Sequence, residues 1–462
     1  MHLMIESGIR GGMSVVTHKH AKANNPYVEG YDQAKQTSYC MYLDANNLYG
    51  WAMSQKMPYD NHCWMTEVEL EQFDLMNIPD DADEGYILEV DLDYPNEIHN
   101  HHNDLPLAPE NRKVMKEEWS PYTKELAERF HHTKPAQKLI ADLNNKRNYV
   151  VHYRNLKLYL RLGMQLVKIH RGISFSQSYW LRDYIQLNTE KRKQAKNAFE
   201  KDFFKLMNNS VFGKTMENVR KRIDLKLVND KSKLAKLTKR NQFVKTRIIT
   251  PQLVSVQSTV TKVKLDKPIY IGFCILDVSK ILMYEFHYDI IKTKYQDRAI
   301  LCFTDTDSLL YYIETEDIYK DMVESHELYD TSDYPTDHFL HSTANKKVLG
   351  KMKDENAGTP IAEFVGLRSK MYSLKTAKGV EKKTAKGINK ATIRKNMRHD
   401  GYADCLWSGK RTVECVRAIR SKNHKIFSLC QQKVALSSFD DKRFVLENKY
   451  ETRAHGHFLN FI

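Results

Sequence analysis

The chain has 462 residues, and this length predicts about two to four folded units, since one domain typically holds about 100–200 residues. Hydrophobic residues make up 41% of the chain and aromatic residues 11%, which excludes a disordered protein. The 72 Lys and Arg residues outnumber the 58 Asp and Glu residues, so the formal net charge is +14. A surplus of this size favours a polyanionic partner, either nucleic acid or an anionic membrane surface.

The seven cysteines are scattered along the chain. Because their number is odd and no CxxC pair occurs, we predict neither a disulfide framework nor a zinc site, and we expect reduced thiols in an intracellular protein. The sequence has no apolar run suited to a signal peptide or a membrane span, so no membrane partner is expected. The basic cluster Lys191-Arg192-Lys193 fits either a nuclear signal or a phosphate-binding surface.

The first half of the chain contains two predicted strands. Residues 38–43 form a β-prone run that ends at Asp44, and residues 46–56 predict the start of a helix. Residues 85–92 predict another strand, which a proline-containing segment follows. This segment carries the histidine-rich stretch 98–102, for which a solvated loop is a better interpretation than a metal site.

The second half alternates basic and apolar segments. Residues 177–210 predict helix, because apolar side chains recur there every three or four positions. Residues 220–247 carry eleven Lys or Arg and only two acids, and a solvated basic loop is one interpretation of them. Residues 269–276 predict an apolar strand and residues 278–291 a helix. The run 299–304 predicts a buried strand.

Asp305 and Asp307 end that buried strand. Carboxylates two residues apart in an extended chain project to the same face. Two like charges about 4 Å apart repel by about 4 kcal/mol at an effective dielectric constant near 20. A divalent cation would relieve this repulsion, and hard oxygen ligands suit Mg²⁺. A solvated hairpin turn with Asp at favourable turn positions is an equally good interpretation of these two residues alone.

Asp44 also ends a β-prone run, far earlier in the chain. A carboxylate at the end of a strand can meet a hairpin on the neighbouring strand of the same sheet. The resulting cluster could hold two metal ions about 3.5–4 Å apart, the geometry of in-line phosphoryl displacement. An isolated Asp before a helix is more often an N-cap, so the prediction depends on the combination with the hairpin.

The segment KLMNNSVFGK, residues 205–214, predicts one functional helix face. Lys205, Asn209 and Gly213 recur every four residues and therefore lie on the same side of a helix. A lysine there could neutralise a triphosphate, and a glycine would let a base pair approach closely. A helix C-terminus at Gly213 explains the glycine equally well.

Three segments together resemble the motifs of family B DNA polymerases. YLDANNLYG at residues 42–50 resembles the palm motif DxxSLYP, and KLMNNSVFGK resembles the fingers motif Kx3NSxYG. FTDTDS at residues 303–308 is similar to the palm hairpin YxDTDS. Two further matches resemble the protein-primed, organellar and viral branch: RSKMYSL at residues 368–374 for the KxY motif, and residues 9–12 for the YxGG segment. The resemblance is greatest to polymerases of Polinton-like mobile elements and related viruses.

The resemblance implies a set of metal ligands and nucleotide-binding residues. Asp44 and Asp307 would bridge two Mg²⁺ ions, for which Mn²⁺ is an alternative, and Asp305 would complete the site. The Ala45 carbonyl would be a backbone ligand, and Tyr49 would exclude a ribose 2′-hydroxyl. The remaining implied nucleotide-binding residues are Lys193, Lys205, Asn209 and Phe212.

The resemblance also implies contacts with DNA, with Lys370 and Tyr372 holding the primer strand by its phosphates. The other implied DNA-binding residues are Arg10, Gly11, Gly12, Gly213, Lys214, Thr304 and Ser308. Several positions depart from the family motifs. Asn47 stands in place of Ser and Gly50 in place of Pro, Phe212 and Phe303 each in place of Tyr, and Ile9 in place of an aromatic residue. None of these departures removes a metal ligand.

The fold that the resemblance implies is an α+β right hand with palm, fingers and thumb, around a mixed or antiparallel palm sheet. The expected division is a pre-palm segment at 1–37, a first palm part with an insertion at 38–176, fingers at 177–215, a basic insertion at 216–265, a second palm part at 266–345, and a thumb with the C-terminal segment at 346–462. We expect no proofreading exonuclease from this chain, since only 43 residues precede Asp44.

The implied activity is template-directed DNA synthesis, with dNTPs added to a primer 3′-hydroxyl by two-metal nucleotidyl transfer. The expected partners are a DNA primer-template and dNTPs, and a terminal protein primer is a further candidate. One alternative is a truncated or domesticated remnant that binds nucleic acid without activity. Another is a two-metal nuclease, which would share the acid cluster but have no use for Tyr49 or the Lys205 face.

Overall fold

A ten-stranded sheet organises the computed structural model, which describes residues 1–132, 134–422 and 425–461. Seven strands follow one another across this central sheet, in the order Ser14–Val16, Ala299–Asp305, Ser308–Glu314, Ser38–Ala45, Ile361–Arg368, Met371–Thr376 and Glu381–Ala385. Three short strands join at its sides: His20–Lys22, Met352–Asp354 and Tyr329–Asp330. All pairings are antiparallel except the one between the last two strands. The predicted strands at 38–43 and 299–304 are thereby confirmed.

The middle strand Ser38–Ala45 is buried on both faces of the sheet. Its odd-numbered residues, among them Met41 and Leu43, belong to the largest hydrophobic core. Its even-numbered residues Cys40 and Tyr42 belong to a second core on the opposite face. This alternation follows from the two-residue period of a strand, and it aligns Asp44 with Cys40 and Tyr42.

A second sheet has four antiparallel strands. Their order is Met57–Trp64, Gln165–Ser178, Glu84–Asp93 and Lys146–His152. Ile87, Val150 and Ile173 from this sheet pack into one core with the apolar helix Ile269–Glu285. The helix thus holds the second sheet in place, and the predicted strand at 85–92 is confirmed.

The prediction of a strand at residues 269–276 is wrong, because this segment forms the first half of the helix Ile269–Glu285. A π-helix, Phe286–Lys292, continues directly from it. Most side chains of the helix Ile269–Glu285 are buried, and its sequence is therefore apolar on all sides. Such a sequence lacks the amphipathic period that would identify a helix. A short apolar run of this kind does not distinguish a buried strand from a buried helix.

The helical prediction for 177–210 corresponds to two helices, Arg182–Gln194 and Ala198–Thr215. They pack against each other as a helical hairpin with a break at residues 195–197. The Asn197 side chain accepts a hydrogen bond from the backbone N–H of Glu200 and caps the second helix. Lys193 and Lys205 therefore belong to different helices.

The basic segment between the hairpin and the apolar helix forms a small folded unit, so the interpretation as a solvated loop is wrong. Its three-stranded sheet has the order Asp224–Val228, Leu253–Ser258 and Phe243–Thr250, and the helix Lys231–Thr238 packs on it. The core of this unit consists of Val228, Leu237 and Val256, with Leu234 and Phe243 packed against them.

The central sheet continues past residue 345, where the palm was expected to end. Strand Met352–Asp354 pairs with Ser38–Ala45, and three later strands extend the sheet to Ala385. The predicted boundary at 345/346 therefore falls within one continuous structural unit. Beyond the sheet lie the helices Lys390–Asn396 and His399–Ser408 and a long hairpin of strands Thr412–Lys422 and Lys425–Leu436. The other predicted boundaries stay predictions.

The histidine-rich stretch was predicted to be a solvated loop, and this prediction is wrong. It forms the short helix His99–His102, in which His99 and His102 are buried. The ring Nδ1 of His102 lies 2.8 Å from the hydroxyl of Tyr94. Burial lowers the pKa of His102 to about 3, so this ring is neutral at physiological pH.

Shorter elements connect these units. The remaining α-helices are His2–Ser7, Leu48–Met53, Glu67–Glu71, Pro121–Arg129, Tyr153–Arg161, Thr293–Tyr295 and Ile318–Glu324. The 3₁₀ helices are Leu75–Asn77, Asn96–Ile98, Lys116–Glu118, Val219–Lys221, Gln296–Arg298, His326–Leu328 and Phe458–Phe461. Two further strand pairs are Glu110–Lys113 with Gln137–Ile140, and Phe444–Val445 with Thr452–Arg453. None of the helices in the described ranges has both the length and the apolar character needed to cross a membrane.

Candidate active site

Asp44 and Asp307 lie side by side in the central sheet. Strand pairing places Asp44 directly opposite Ser308, and the backbone N–H of Ala45 donates to the Asp307 carbonyl over 2.6 Å. Thr306 adopts a left-handed conformation with φ 69°, which turns the chain sharply between the two strands. The sequence had predicted this meeting of a strand end and a hairpin, and the structure confirms it.

Both carboxyl groups are held in surroundings that oppose their charged forms. Burial, together with the charges of Asp307 and Glu355, raises the pKa of Asp44 to about 8. Burial also raises the pKa of Asp307, and the charge on Asp305 adds to this rise. The Lys205 ammonium opposes both shifts. Two partly buried oxygen donors that repel each other are the donor set that a hard divalent cation would stabilise.

Asp305 points to a different partner. Its Oδ1 forms an ion pair with the Lys370 ammonium at 3.1 Å. Within the part of the chain that the structure describes, no three His, Cys, Asp or Glu residues are grouped closely enough to hold a metal ion. Asp44 and Asp307 still supply hard oxygen donors of the kind that suits a divalent cation, while Asp305 is paired with Lys370 in this structure.

A cavity of about 370 Å³ opens beside the two carboxylates. Its lining includes both acidic and cationic groups. The lining residues are Asp44, Asn46, Asn47, Leu48, Tyr49, Arg192, Lys205, Asn209, Thr306, Asp307, Lys353 and Glu355. Such a cavity suits a ligand that carries both metal-binding and phosphate oxygens.

Tyr49 forms an aromatic pair with Phe212 at this cavity. Their ring centroids are 4.7 Å apart, and the ring planes are tilted by 42°. Tyr49 lies on the short helix Leu48–Met53, which begins after Asn47 in a left-handed conformation, and Phe212 lies on the second helix of the hairpin. The pair thus connects the central sheet side of the site to the helical hairpin.

The predicted helix face at Lys205 is confirmed in part. Lys205 and Asn209 line the cavity, and Phe212 contacts Tyr49, which also lines it. The helix continues past Gly213 to Thr215, so the alternative in which Gly213 ends the helix is wrong. A Cβ atom added at Gly213 would have no described neighbour within 4 Å, so the glycine faces open space.

Two predicted ligand-binding lysines lie away from the cavity. Lys193 pairs with Glu190 at 3.0 Å and lines a separate depression with Ser54 and Lys347. Lys214 projects outward, 72% exposed, and pairs with Glu217 at 2.8 Å. Lys193 was predicted to bind the nucleotide, but the structure does not bring it to the cavity.

Three charged residues that line the cavity were not among the predicted site residues. Arg192 lines the cavity in place of its neighbour Lys193, since the helix break changes which residue faces inward. Lys353 pairs with Asp44 across the sheet, and Glu355 follows two residues later. The strand Met352–Asp354 is only three residues long, which is too short for a recognisable alternating pattern. The sequence therefore carries no clear signal for Lys353 or Glu355.

Three side chains that were predicted to contact DNA are buried. Arg10 is 7% exposed, donates to the Val150 carbonyl over 2.7 Å, and lies over the Tyr149 ring. Thr304 and Ser308 are each 3% exposed within the central sheet. The described structure thus gives these three side chains neighbours within the protein, and their contact with DNA stays a prediction.

Gly12 allows a close approach to the hairpin that carries Asp305 and Asp307. A Cβ atom at Gly12 would lie 2.3 Å from the Thr306 side chain, and the Thr306 N–H donates to the Met13 carbonyl over 2.7 Å. Gly11 is exposed beside it. This segment thus borders the Asp305–Asp307 turn, as its predicted role requires.

Lys370 and Tyr372 approach the same turn from the other side. Lys370 adopts φ 59° in the turn between strands Ile361–Arg368 and Met371–Thr376. The Tyr372 hydroxyl lies 3.2 Å from that of Tyr42. Lys370 also lines a cavity of about 470 Å³, whose other cationic residues are Lys138, Arg368, Lys386 and Lys442. A basic surface therefore adjoins the carboxylates.

Comparison with known proteins agrees with this architecture. A structure of phi29 DNA polymerase with primer-template DNA and incoming nucleotides matches 94% of the chain, with a TM-score of 0.54 and 13% identity. A second phi29 DNA polymerase structure, with primer-template DNA alone, has a TM-score of 0.52 and 14% identity. The chain spans 62% of the phi29 polymerase chain in both comparisons. No curated protein matches the sequence.

The structural likeness confirms the predicted α+β right-hand polymerase fold. A model of the family described as DNA polymerase type B, organellar and viral, matches residues 24–293, which is more than half of the chain. This family match includes Asp44, Tyr49 and the Lys205 helix. The chain therefore belongs to the organellar and viral type B DNA polymerases.

Proposed function

We propose that this chain is a template-directed DNA polymerase core, which adds dNTPs to the 3′-hydroxyl of a primer. The observation that carries the proposal is that one cavity is lined by the carboxylates Asp44 and Asp307, the cations Lys205 and Arg192, and Tyr49. Paired carboxylates and opposing cations are what a metal-bound nucleoside triphosphate requires.

Asp44 and Asp307 would hold two divalent cations, Mg²⁺ or alternatively Mn²⁺, with Asp305 and the Ala45 carbonyl as further ligands. When bound, such ions activate the attacking hydroxyl and stabilise the charge that develops on the phosphate oxygens. The protein's own contribution is to present the carboxylates together in a partly buried site. Their raised pKa values show that the fold disfavours both negative charges in the absence of a cation.

The cationic wall of the cavity would bind the triphosphate. Lys205 and Arg192 approach from the two helices of the hairpin, so the phosphates would be held between them. Asn209 would donate to the nucleotide from the same face as Lys205. The Tyr49 and Phe212 rings would form the surface under the sugar and the new base pair, leaving no space for a 2′-hydroxyl.

The proposed polymer substrate is a DNA primer-template. Phi29 DNA polymerase has been solved in complex with primer-template DNA and incoming nucleotides, and its fold is shared here. Lys370 and Gly12 border the Asp305–Asp307 turn, where a primer end would lie, and Tyr372 would hold the primer strand from the strand that follows Lys370. With a net charge of +14, binding should weaken steeply as salt rises. On the sequence motifs alone, we also propose that a terminal protein can serve as the primer. The same motifs lead us to propose that the chain comes from a Polinton-like element or a related virus.

Two alternatives account for less of the site. A two-metal nuclease would need the carboxylates but would have no use for the Tyr49–Phe212 pair beside the lysine face. An inactive remnant would have no reason to keep both acids in surroundings that disfavour their charge. Polymerisation uses all these features.

Primer extension with Mg²⁺ and all four dNTPs tests the proposal. The folded chain should extend a recessed primer, and Asp307→Asn should not. Absence of extension by a folded wild-type chain, or equal extension by Asp307→Asn, would overturn the proposal. Primer degradation without dNTPs, abolished by the same substitution, would instead show a nuclease.

A further inference from the structure

An exposed stripe runs along the second helix of the hairpin, Ala198–Thr215. It consists of Phe199, Phe203, Leu206, Ser210 and Gly213, whose spacing of four, three, four and three residues places them on one helix face. Phe199 is 78% exposed, Phe203 44% and Leu206 62%. Large apolar side chains grouped on one exposed face commonly mark a binding surface.

The two phenylalanines present open aromatic faces. Their rings are nearly parallel, with an interplanar angle of 20° and centroids 6.4 Å apart. Phe203 also has an edge contact with Phe204. Stacked aromatic rings at the surface bind bases of any sequence, because every base has a π face.

Cations outnumber acids around the stripe. Lys196, Lys201 and Lys205 lie near it on the chain, against Glu200 and Asp202. The Glu200 carboxylate is already engaged, since it accepts hydrogen bonds from the Lys196 N–H and the Asn197 amide. This charge balance favours a ligand that carries phosphates along with its bases.

The stripe leads directly into the proposed active site. Gly213 follows Phe212, which contacts Tyr49, while Lys205 and Asn209 occupy the adjacent helix face at the cavity. At a rise of 1.5 Å per residue, Phe203 lies about 14 Å and Phe199 about 20 Å along the helix from Phe212. These distances correspond to about four to six nucleotides at a rise of 3.4 Å per nucleotide.

We infer that this stripe is a stacking platform for unpaired bases of the template strand, about four to six nucleotides ahead of the templating position. The inference rests on the proposed function, which places the new base pair at Phe212. Phe199 and Phe203 stack on the bases, and the neighbouring lysines bind the phosphates. The platform holds the single strand without sequence preference.

Binding of primer-template DNA without divalent metal tests this inference. Fluorescence anisotropy would compare template overhangs of ten and two nucleotides, for wild type and for the double variant Phe199→Leu/Phe203→Leu. Wild type should prefer the longer overhang. The variant, which keeps apolar side chains but loses both rings, should bind the longer overhang roughly tenfold more weakly and the shorter one unchanged.

Two further variants sharpen the test. Phe199→Trp/Phe203→Trp should restore the preference, since indole rings also stack. Phe339→Leu makes the same change at another exposed phenylalanine, 63% exposed, and should have no effect. A 2-aminopurine base in the template, four to six nucleotides ahead, should be quenched by wild type and not by the double leucine variant.

Equal weakening on both overhangs, or no weakening on either, would overturn the inference. It would also fail if wild type were a dimer that the leucine variant converts to monomer, since the stripe would then be a contact between two copies. The proposed function is tested separately by extension of the shorter-overhang substrate with Mg²⁺ and dNTPs. A wild-type chain that binds with the overhang preference but does not extend would overturn the proposed function and leave the platform supported.

Discussion

The side-chain amide of Asn47 occupies the space that a side chain at Gly50 would need. A Cβ atom at Gly50 would lie 2.2 Å from Asn47 Nδ2, far inside van der Waals contact. Asn47 itself adopts φ 46°, a left-handed conformation that Asn tolerates better than most residues. The two departures from the family's DxxSLYP motif are therefore one coupled change, and they set the position of Tyr49 between them.

Gly50→Ala should destabilise the protein by about 1–3 kcal/mol, because the added methyl group would overlap the Asn47 amide. The double variant Asn47→Gly/Gly50→Ala should recover most of this loss, since it removes the overlapping amide and tolerates the positive φ. The measurement is thermal unfolding of wild type, Asn47→Gly, Gly50→Ala and the double variant, which together form a double-mutant cycle. Gly401→Ala, within the helix His399–Ser408 and without a close neighbour, is the matched control and should cost nothing. Additive losses in the double variant would show that the two positions are independent.

Lys370→Ala should strengthen Mn²⁺ binding by the DNA-free protein by roughly two- to fivefold, because the Lys370 ammonium competes with a cation for Asp305. The same variant should bind primer-template DNA more weakly, since it loses a phosphate contact. Electron paramagnetic resonance of free Mn²⁺ and fluorescence anisotropy of labelled DNA measure the two effects. Lys375→Ala, at an exposed lysine on the strand that follows Lys370, should leave Mn²⁺ binding unchanged. Weaker Mn²⁺ binding by Lys370→Ala would contradict the expected competition.

The acidic residues could be located from sequence because each ends a strand within a distinctive motif. The β-prone run before Asp44 and the apolar strands on both sides of Asp305–Asp307 predict strand ends, and the sheet brings them together. The ion pair between Asp305 and Lys370 could not be foreseen, since it depends on a turn with φ 59° at Lys370. The burial of Arg10 was equally hidden, because its partners lie about 140 residues later in the chain.

Asp44→Asn should stabilise the metal-free protein at alkaline pH. The pKa of Asp44 is raised from 3.8 to about 8 in the folded state, so ionisation opposes folding. The stability of wild type that depends on this group is present below pH 4 and is lost as the pH rises to about 8. The melting temperature of the variant in EDTA should therefore exceed that of wild type by roughly 2–6 °C at pH 9, with a smaller difference at pH 5.

Adding Mg²⁺ at pH 9 should reverse this order, since wild type gains a ligand that Asp44→Asn binds poorly. Asp81→Asn, at an exposed carboxylate, serves as the control for the substitution itself. A variant less stable than wild type in EDTA at both pH values would mean that the carboxylate stabilises the fold.

Tyr49→Ala should admit ribonucleotides, because the ring that fills the space beside the sugar is removed. The ratio of incorporation efficiencies for dNTPs and rNTPs should fall by roughly a hundredfold, about the effect of removing one steric exclusion worth about 3 kcal/mol. Tyr49→Phe keeps the ring and should retain the discrimination. Phe212→Ala should reduce it partly, since Phe212 supports the Tyr49 ring at 4.7 Å. Unchanged sugar selectivity in Tyr49→Ala would refute this role.

Arg192 and Lys193 show where helical periodicity fails as a guide to function. The segment 177–210 was predicted as helical from its apolar spacing, whereas the break at residues 195–197 divides it into two helices, with Lys193 on the first and Lys205 on the second. The guanidinium of Arg192 then reaches the cavity, and Lys193 pairs with Glu190 outside it. The Arg192 carbonyl also accepts a hydrogen bond from the Lys347 ammonium over 3.3 Å, which holds this end of the helix near the site.

Arg192→Ala should therefore raise the KM for dNTPs by roughly tenfold, the effect of losing one charge-assisted hydrogen bond to phosphate. Lys193→Ala, the adjacent substitution of the same charge, should leave KM within about twofold because its side chain faces away. Steady-state primer extension at varied dNTP concentration measures both. Arg192→Lys should recover part of the loss, since the charge returns without the bidentate geometry. A rise in KM for Lys193→Ala without one for Arg192→Ala would contradict the role assigned to Arg192.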